Sequence, residues 1–183
     1  DFHEGLNFAG IHRLPCVLIC ENNQYAISVP VARQMPTHSV AERASAYGVP
    51  VVFVDGNDIL EVYRVTKEAV ARARRGDGPT LIECFTYRLV PHSTDDDDRT
   101  YRSREEVESW KQRDPIDRFR HSLVEHGVLD ASAETDIKTG AERAAEDAIA
   151  EAEAAPVPAP QDALFPVWAD QVQPAPWKEG PRG

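Results

Sequence analysis

Two adjacent asparagines, Asn22 and Asn23, are the first residues in the chain whose type and position suggest chemistry. They follow the apolar run 16–20, which predicts a buried parallel strand. The carboxyl ends of parallel strands are where open α/β sheets bind ligands. An Asn side-chain oxygen and a neighbouring main-chain carbonyl are hard, neutral ligands of the kind that suits Mg²⁺. The pair therefore favours a cation site, with an ordinary polar turn as the alternative.

A second candidate group lies in the segment 87–102, directly after the third predicted strand. The segment contains His92, the hydroxyls of Ser93 and Thr94, and the four consecutive carboxylates 95–98. A His on the ligand side of a sheet can donate a proton near neutral pH. The acidic run does not fit a calcium-binding loop, because no Gly follows at the required offset and no Glu closes the pattern. A solvated charged loop is the alternative to a catalytic one.

The elements that would position these residues alternate between helix and strand. Strands separated by helices of this length predict an α/β fold with a parallel sheet flanked by helices. The predicted strands cover residues 16–20, 50–54 and 80–85. The predicted helices cover residues 2–13, residues 39–48, and the stretch between a cap at Asn57 or Asp58 and a stop at Gly76.

The chain is predicted to divide into three parts. Residues 1–102 form the α/β domain and include the candidate loop. Residues 103–154 form a helical part packed on the same domain, since they contain a capping box that starts at Ser103, an N-cap at Asp114 followed by Pro115, and an Ala- and Glu-rich stretch. Residues 155–183 are rich in Pro and Ala, which predicts an extended tail. The apolar cluster 164–168 inside this tail is expected to dock on a partner or on the domain itself.

Composition narrows the possible classes of protein. The 183 residues are enough for one domain with a real core. The net charge of −11 argues against a nucleic-acid surface, where a basic patch is expected. No apolar run reaches the length of about 18 residues that a membrane-spanning helix needs. The three cysteines, Cys16, Cys20 and Cys84, lie in apolar strand patterns and are expected to be buried free thiols.

The segment 21–28 resembles the second half of the thiamine diphosphate motif, in which a Gly-Asp-Gly or Gly-Glu-Gly segment precedes an Asn-Asn pair. The match is close to the alpha subunit of the 2-oxo acid dehydrogenase decarboxylating component. Residues 1–9 are similar to the helix between the two halves of that motif. The resemblance extends to about Trp168 and implies the thiamine diphosphate-binding fold. It also implies that the chain is the C-terminal part of a longer subunit, either a cut gene product or a half that assembles with a separate first half.

The resemblance assigns site residues one by one. The Asn23 side chain and the Tyr25 main-chain carbonyl would bind the Mg²⁺ that bridges the cofactor diphosphate. His92 matches the active-site histidine that contacts the diphosphate and serves the reaction centre. Ser28 and Arg88 belong to the same set of cofactor contacts.

Two features of this family have no counterpart among the residues of this chain. The acidic third metal ligand should lie upstream of Asp1. At Glu21 the mitochondrial branched-chain enzyme has a basic residue that meets the diphosphate. A carboxylate cannot make that contact, so another donor must supply it here.

The segment 87–102 resembles the regulatory phosphorylation loop of the same alpha subunits. Ser93 matches the serine that is phosphorylated in the mitochondrial enzymes. Together with Arg88, three further residues match those that order the loop through hydrogen bonds and ion pairs: Asp96, Tyr101 and Arg102. A Ser-Thr pair followed by two acids is closer to the branched-chain enzyme than to the pyruvate enzyme.

The function implied by the resemblance is oxidative decarboxylation of a branched-chain 2-oxo acid, with transfer of the acyl group to a lipoyl-bearing acyltransferase. The active site would lie between alpha and beta subunits in a heterotetramer of two of each. The chain would then be inactive without the N-terminal part and a beta subunit. The pyruvate or acetoin enzyme and a non-catalytic assembly fragment are the alternatives. The expected location is the cytoplasm of a bacterium, or the mitochondrial matrix in a eukaryote.

Overall fold

The computed structural model describes residues 1–37 and 39–160 and divides the chain into two compact units, Asp1–Leu129 and Asp130–Gly183. The first unit is an α/β structure, as the sequence predicts. Its described helices are α1 (Phe2–Ile11), α2 (Glu42–Ser45), α3 (Ile59–Arg74), α4 (Arg104–Lys111) and α5 (Pro115–Glu125). Its described strands are β1 (Val17–Asn22), β2 (Tyr25–Ala26), β3 (Val29–Pro30), β4 (Val51–Asp55) and β5 (Thr80–Phe85).

The three longer strands form a parallel sheet in the order β1-β5-β4. The central strand β5 is the buried one, because it has a neighbour on each side. β1 is an edge strand among the described residues, and Ile19 is 54% exposed. The expectation that the run 16–20 is buried is therefore wrong. Cys16 and Cys20 are only half-buried, whereas Cys84 on β5 is a buried free thiol, as expected.

Helices cover both faces of the sheet. Leu6 of α1 and Ala44 of α2 pack against Leu81 of β5. The next residue, Ile82, points to the opposite face and packs in a cluster with Val65 of α3. Full burial of one aliphatic side chain contributes about 1.5–3 kcal/mol. These two clusters therefore stabilise the sheet from which the candidate loops extend.

The starts of three helices follow the signals in the sequence, whereas the helix predicted at residues 39–48 is shorter, with α2 covering Glu42–Ser45 and Ala41 at its N-cap. The side chains of Asp58, Ser103 and Asp114 each accept a hydrogen bond from a backbone N–H in the first turn of α3, α4 and α5. A cap of this kind is worth about 1 kcal/mol. α3 ends before Gly76, whose φ of +77° is a backbone conformation that a residue without a Cβ adopts readily.

The second unit is described as far as residue 160. It consists mainly of α6 (Ala131–Ala154), which Asp130 caps and which has no buried residue along its length. The apolar cluster 164–168 lies outside the described residues, and the domain boundaries at residues 102 and 154 stay predictions. Within the part of the chain that the structure describes, every helix is too short or too polar to cross a membrane.

Candidate functional site

The two segments that carry the candidate chemistry leave the sheet side by side. β1 and β5 are parallel neighbours along their whole length. Beyond the ladder, Thr86 N donates to the Asn22 carbonyl at 2.9 Å, and Arg88 N donates to the Asn23 carbonyl at 3.4 Å. The Asn22–Asn23 turn and the segment 87–102 therefore start from the same point at the carboxyl edge of the sheet.

Asn22 is buried, and its amide shapes the turn from inside. Its Nδ2 group donates to Glu83 Oε1 at 2.6 Å. Its Oδ1 atom accepts from Gln24 N at 3.2 Å and from Gln24 Nε2 at 3.0 Å. Gln24 has a φ of +72°, which a residue with a side chain holds only when its surroundings fix it. Asn22 is therefore a structural partner of the turn.

Asn23, the predicted metal ligand, is half-buried in this turn. Its Oδ1 atom accepts from Tyr25 N at 3.1 Å, which fixes the direction of the side chain. An amide oxygen has two lone pairs, so this bond leaves one for a cation. In residues 1–37 and 39–160 no cluster of three or more His, Cys, Asp or Glu is placed to hold a metal ion. The turn offers neutral oxygens instead, and Mg²⁺ commonly combines a few protein oxygens with substrate phosphate oxygens, so the residues fit the predicted ion.

A cavity of about 320 Å³ opens beside the turn. Asn23 and Tyr25 line it, together with Val40 and Arg43 from the segment around the start of α2. Glu21 also lines the cavity. Among the described residues that line the cavity, Arg43 is the positively charged one.

Arg102 forms a buried ion pair at the base of the loop. Its Nε and Nη2 groups donate to Asp98 Oδ2 at 3.0 and 2.6 Å, and its Nη1 group donates to the carbonyl of Arg88. The guanidinium carbon lies 5.3 Å from the centre of the Tyr87 ring and 5.8 Å from that of the Tyr25 ring. The hydrogen bond from Arg102 holds the pKa of Asp98 below its ordinary value of 3.8.

Glu106 of α4 joins the β2–β3 hairpin to the start of the loop. Its Oε1 atom accepts from the hydroxyl of Tyr25 at 3.0 Å and from that of Tyr87 at 2.9 Å. Burial, followed by the hydrogen bond to Glu106, raises the pKa of both tyrosines, so both hydroxyls stay protonated. The Tyr25 side chain thus packs in the protein, while its main-chain carbonyl is the group assigned to the metal.

Asp96 holds the exposed part of the loop. Its Oδ2 atom accepts from His92 N at 2.9 Å and from the hydroxyl of Tyr101. These bonds, the one from Tyr101 first, lower the pKa of Asp96. Arg88 donates to the Tyr101 hydroxyl at 3.3 Å and to the carbonyl of Ile27 in the hairpin turn. The structure therefore brings Arg88, Asp96 and Tyr101 together around the backbone of His92.

The remaining predicted site residues are exposed. The side chains of His92 and Ser93 lie at the surface of the loop. Ser28 is exposed in the turn between β2 and β3, and Glu21 is exposed near the end of β1. The functions assigned to these side chains stay predictions.

Sequence reasoning missed two acidic residues, Glu83 and Glu106. A signal for Glu83 was present, because a charged residue inside the apolar run 80–85 must find partners when the strand is buried. Glu106 was predicted as the last residue of the capping box at 103–106, and that pattern did not indicate that its carboxylate binds Tyr25 and Tyr87.

Comparison with known proteins identifies several similar chains. The chain is 52% identical over 169 residues to the 2-oxoisovalerate dehydrogenase subunit alpha of Bacillus subtilis (strain 168), which covers 92% of this chain and 51% of that one. It is 56% identical over 128 residues to the 3-methyl-2-oxobutanoate dehydrogenase subunit alpha of Mycobacterium tuberculosis (strain ATCC 25618 / H37Rv), covering 70% of this chain and 35% of that one. It is 48% identical over 128 residues to the pyruvate dehydrogenase E1 component subunit alpha of Acholeplasma laidlawii, covering 69% and 37%.

The chain spans about half, or less, of the length of these curated relatives. The family model described as the dehydrogenase E1 component matches residues 1–161, which is most of the chain. The fold agrees with this match, because the parallel sheet and its flanking helices are those that the resemblance implied. The chain therefore belongs to the dehydrogenase E1 component family.

Proposed function

We propose that this chain forms part of the alpha subunit of a thiamine diphosphate-dependent branched-chain 2-oxo acid dehydrogenase. One observation supports a branched-chain 2-oxo acid as the substrate. Identity is 52% and 56% to alpha subunits named for 2-oxoisovalerate and 3-methyl-2-oxobutanoate, two names of one branched-chain 2-oxo acid. It is 48% and 43% to alpha subunits named for pyruvate, so the pyruvate enzyme is the second candidate.

The reaction is oxidative decarboxylation of the 2-oxo acid, with transfer of the acyl group to a lipoyl-bearing acyltransferase. Bound thiamine diphosphate supplies the nucleophilic carbon and the electron sink for this chemistry. Asn23 Oδ1 and the Tyr25 carbonyl would hold the Mg²⁺ that accompanies the cofactor. His92 would donate to the cofactor and hold a proton at the reaction centre. Ser28 and Arg88 would add further contacts to the cofactor.

Residues outside the reaction centre order the loop that carries His92. Asp96 caps the His92 backbone and binds the Tyr101 hydroxyl. Arg102 fixes the base of the loop through Asp98. These contacts hold the backbone of His92 before substrate arrives, which lowers the entropic cost of bringing its side chain to the reactive geometry.

The resemblance places a basic residue that contacts the diphosphate at the position of Glu21. We assign that contact to Arg43 in this chain. Both residues line the same cavity. A guanidinium binds phosphate oxygens through two parallel N–H groups, which a carboxylate cannot do. Arg43→Gln should weaken cofactor binding, whereas Arg33→Gln, at an exposed position, should leave it unchanged.

The proposed assembly contains two alpha and two beta subunits, with this chain as part of each alpha subunit. Because the chain spans about half the length of its relatives, we expect activity to need the rest of the alpha subunit as well as beta. The similar proteins are bacterial, which supports a cytoplasmic location.

The test of this function is cofactor binding by the reconstituted enzyme. Asn23→Ala should abolish Mg²⁺-dependent binding of thiamine diphosphate in calorimetry, because it removes a ligand of the ion. Asn7→Ala, at an exposed position on α1, is the matched control. Equal affinity in Asn23→Ala and wild type would refute the assignment. A kcat/KM for pyruvate above that for 3-methyl-2-oxobutanoate would favour the second candidate.

A further inference from the structure

Glu83 is a carboxylate in the middle of the central strand, and it is 0% exposed. A buried charge of this kind is retained only when it is fully hydrogen-bonded, since water cannot reach it. The pattern of β5 does not require it, because the neighbouring positions Leu81, Ile82 and Cys84 are apolar and buried. The packing of β5 therefore does not explain why a carboxylate lies at this position.

The two oxygens of Glu83 bind two different segments. Oε1 accepts from Asn22 Nδ2 at 2.6 Å. Oε2 accepts from Ser39 Oγ at 2.6 Å and from Ala41 N at 2.7 Å. Burial would raise the pKa of Glu83, but these donors outweigh it and place the pKa below the ordinary 4.5. The group is therefore an anion at neutral pH.

Both segments contribute to the cavity beside the turn. Asn22 and Asn23 line it, and so does Val40, which lies between the Oε2 partners Ser39 and Ala41. Glu83 thus connects the two lining segments through its single carboxylate. A change in its charge affects both segments at once.

Glu83 also sets the orientation of the Asn22 amide. Because Nδ2 faces the carboxylate, Oδ1 faces Gln24 and accepts from both its N and its Nε2. This arrangement holds the turn at Gln24, between Asn23 and Tyr25. Those two residues present the oxygens assigned to the cation.

We propose that Glu83 is a positioning residue for the cofactor: through Asn22 it fixes the turn that presents the Asn23 and Tyr25 oxygens to Mg²⁺, and through Ser39 and Ala41 it fixes the segment around Val40 that lines the same cavity. This inference rests on the proposed function and assigns a new residue to that site. Partners behind metal ligands commonly change metal affinity about 10–100-fold when they are mutated.

The test is a double-mutant cycle in the reconstituted holoenzyme, in which the negative charge is moved from position 83 to position 22. Glu83→Gln keeps the shape but presents an N–H₂ group either to Asn22 Nδ2 or to the donors from Ser39 and Ala41. Asn22→Asp places a second carboxylate beside Glu83. The double variant Glu83→Gln/Asn22→Asp restores complementarity, because the amide nitrogen introduced at position 83 then donates to the carboxylate introduced at position 22. Glu68→Gln, an exposed change on α3, is the control.

Two readouts separate positioning from plain stability: the Kd of thiamine diphosphate at fixed Mg²⁺ by calorimetry, and the Tm without cofactor. We expect each single variant to raise the Kd at least about tenfold, and the double variant to recover most of that loss. A lower Tm with unchanged Kd in Glu83→Gln would overturn the proposal. So would a double variant whose Kd is the product of the two single effects.

A milder variant keeps the test decisive if Glu83→Gln does not fold. Asn22→Ser removes the link to Glu83 Oε1 and leaves Ser39 and Ala41 bound to Oε2. It should raise the Kd about tenfold, and an unchanged Kd would contradict the proposal. The wild-type measurement separates a failure of the proposed function from a failure of the role proposed for Glu83. If wild type binds no cofactor, the proposed function fails; if wild type binds and the Glu83 variants bind equally well, only this inference fails.

Discussion

Arg102 and Asp98 form an ion pair in which the Nη2–Oδ2 distance is 2.6 Å and the side chains are 0% and 2% exposed. The pair lies within one segment, four residues apart, so it constrains the chain between them. It also reaches the start of that segment, because Arg102 donates to the carbonyl of Arg88. A surface loop that closes on a buried ion pair is held at its base, while its tip at His92 and Ser93 stays exposed.

We predict that Arg102→Ala opens this loop. The substitution leaves the Asp98 carboxylate buried without its main partner, which is the costly way to break an ion pair. Limited proteolysis should cut within the segment 87–102 much faster than in wild type, and added cofactor should restore protection only weakly. Arg99→Ala is the matched control, since Arg99 is 70% exposed in its pair with Asp97. Equal cleavage of the two variants would contradict the prediction.

We predict that Glu106→Ala lowers stability by removing the shared acceptor of two tyrosine hydroxyls. Tyr25 and Tyr87 both donate to Glu106 Oε1, and Tyr87 is buried. A buried polar group without a partner costs about 1–3 kcal/mol. Denaturant unfolding should show a loss of that size. Glu108→Ala, on the same helix in an exposed pair with Lys111, should change the free energy of unfolding by less than about 1 kcal/mol.

We predict an acid-sensitive contribution from Glu83. Its folded pKa lies below the ordinary 4.5, so the carboxylate stabilises the folded state fully above that value. The contribution is lost as the pH falls from the ordinary value through the folded pKa, because in that range the unfolded chain binds a proton that the folded carboxylate does not yet bind. The difference in free energy of unfolding between wild type and Glu83→Gln should be constant near neutral pH and should shrink below about pH 4.5. A difference that grows on acidification would show the opposite sign and refute the assignment.

We predict that His92→Ala leaves the fold intact and reduces turnover. The His92 side chain is exposed, and its ordering contact to Asp96 is made by its backbone N, which the variant keeps. Loss of a positioned acid or base reduces turnover about 10²–10⁴-fold. His121→Ala, at an exposed position on α5, is the control and should match wild type. Near wild-type turnover in His92→Ala, with an unchanged Tm, would remove His92 from the reaction.

Local patterns predicted the fold well, because they act over a few residues. Caps at Asp58, Ser103 and Asp114 form as the sequence indicates, and the strand at residues 80–85 has the predicted bounds. The burial of β1 was wrong, because an apolar run does not show whether its strand lies at the centre or at the edge of a sheet.

The candidate site was predictable only in part, because its residues come from distant parts of the chain. The positions of Asn23 and His92 after strands follow from chain order. The partners of Glu83 could not be predicted, because Asn22, Ser39 and Ala41 are 42 to 61 residues away from it in sequence. A buried charge predicts that partners exist, but tertiary structure alone determines which residues they are.

We predict that a negative charge at Ser93 inhibits the assembled enzyme, as a phosphate there would. Ser93 is exposed, and its carbonyl accepts from Asp96 N at 3.2 Å. A phosphate would add about −1.5 to −2 charges beside the carboxylates 95–98, next to the Asp96 contact that orders His92. Repulsion should displace Asp96 from His92 N, disorder the loop and block access of the lipoyl partner.

Ser93→Glu tests this charge effect, with Ser93→Gln as the control of similar size and no charge. Overall activity with the lipoyl partner should fall in Ser93→Glu and remain in Ser93→Gln. Part of the loss should recover at high salt, because exposed charges are screened over about 3 Å at 1 M ionic strength and over about 10 Å at 0.1 M. If Ser93→Glu is as active as Ser93→Ala, the loop does not gate the site. If Ser93→Gln is equally inhibited, the effect is due to size rather than charge.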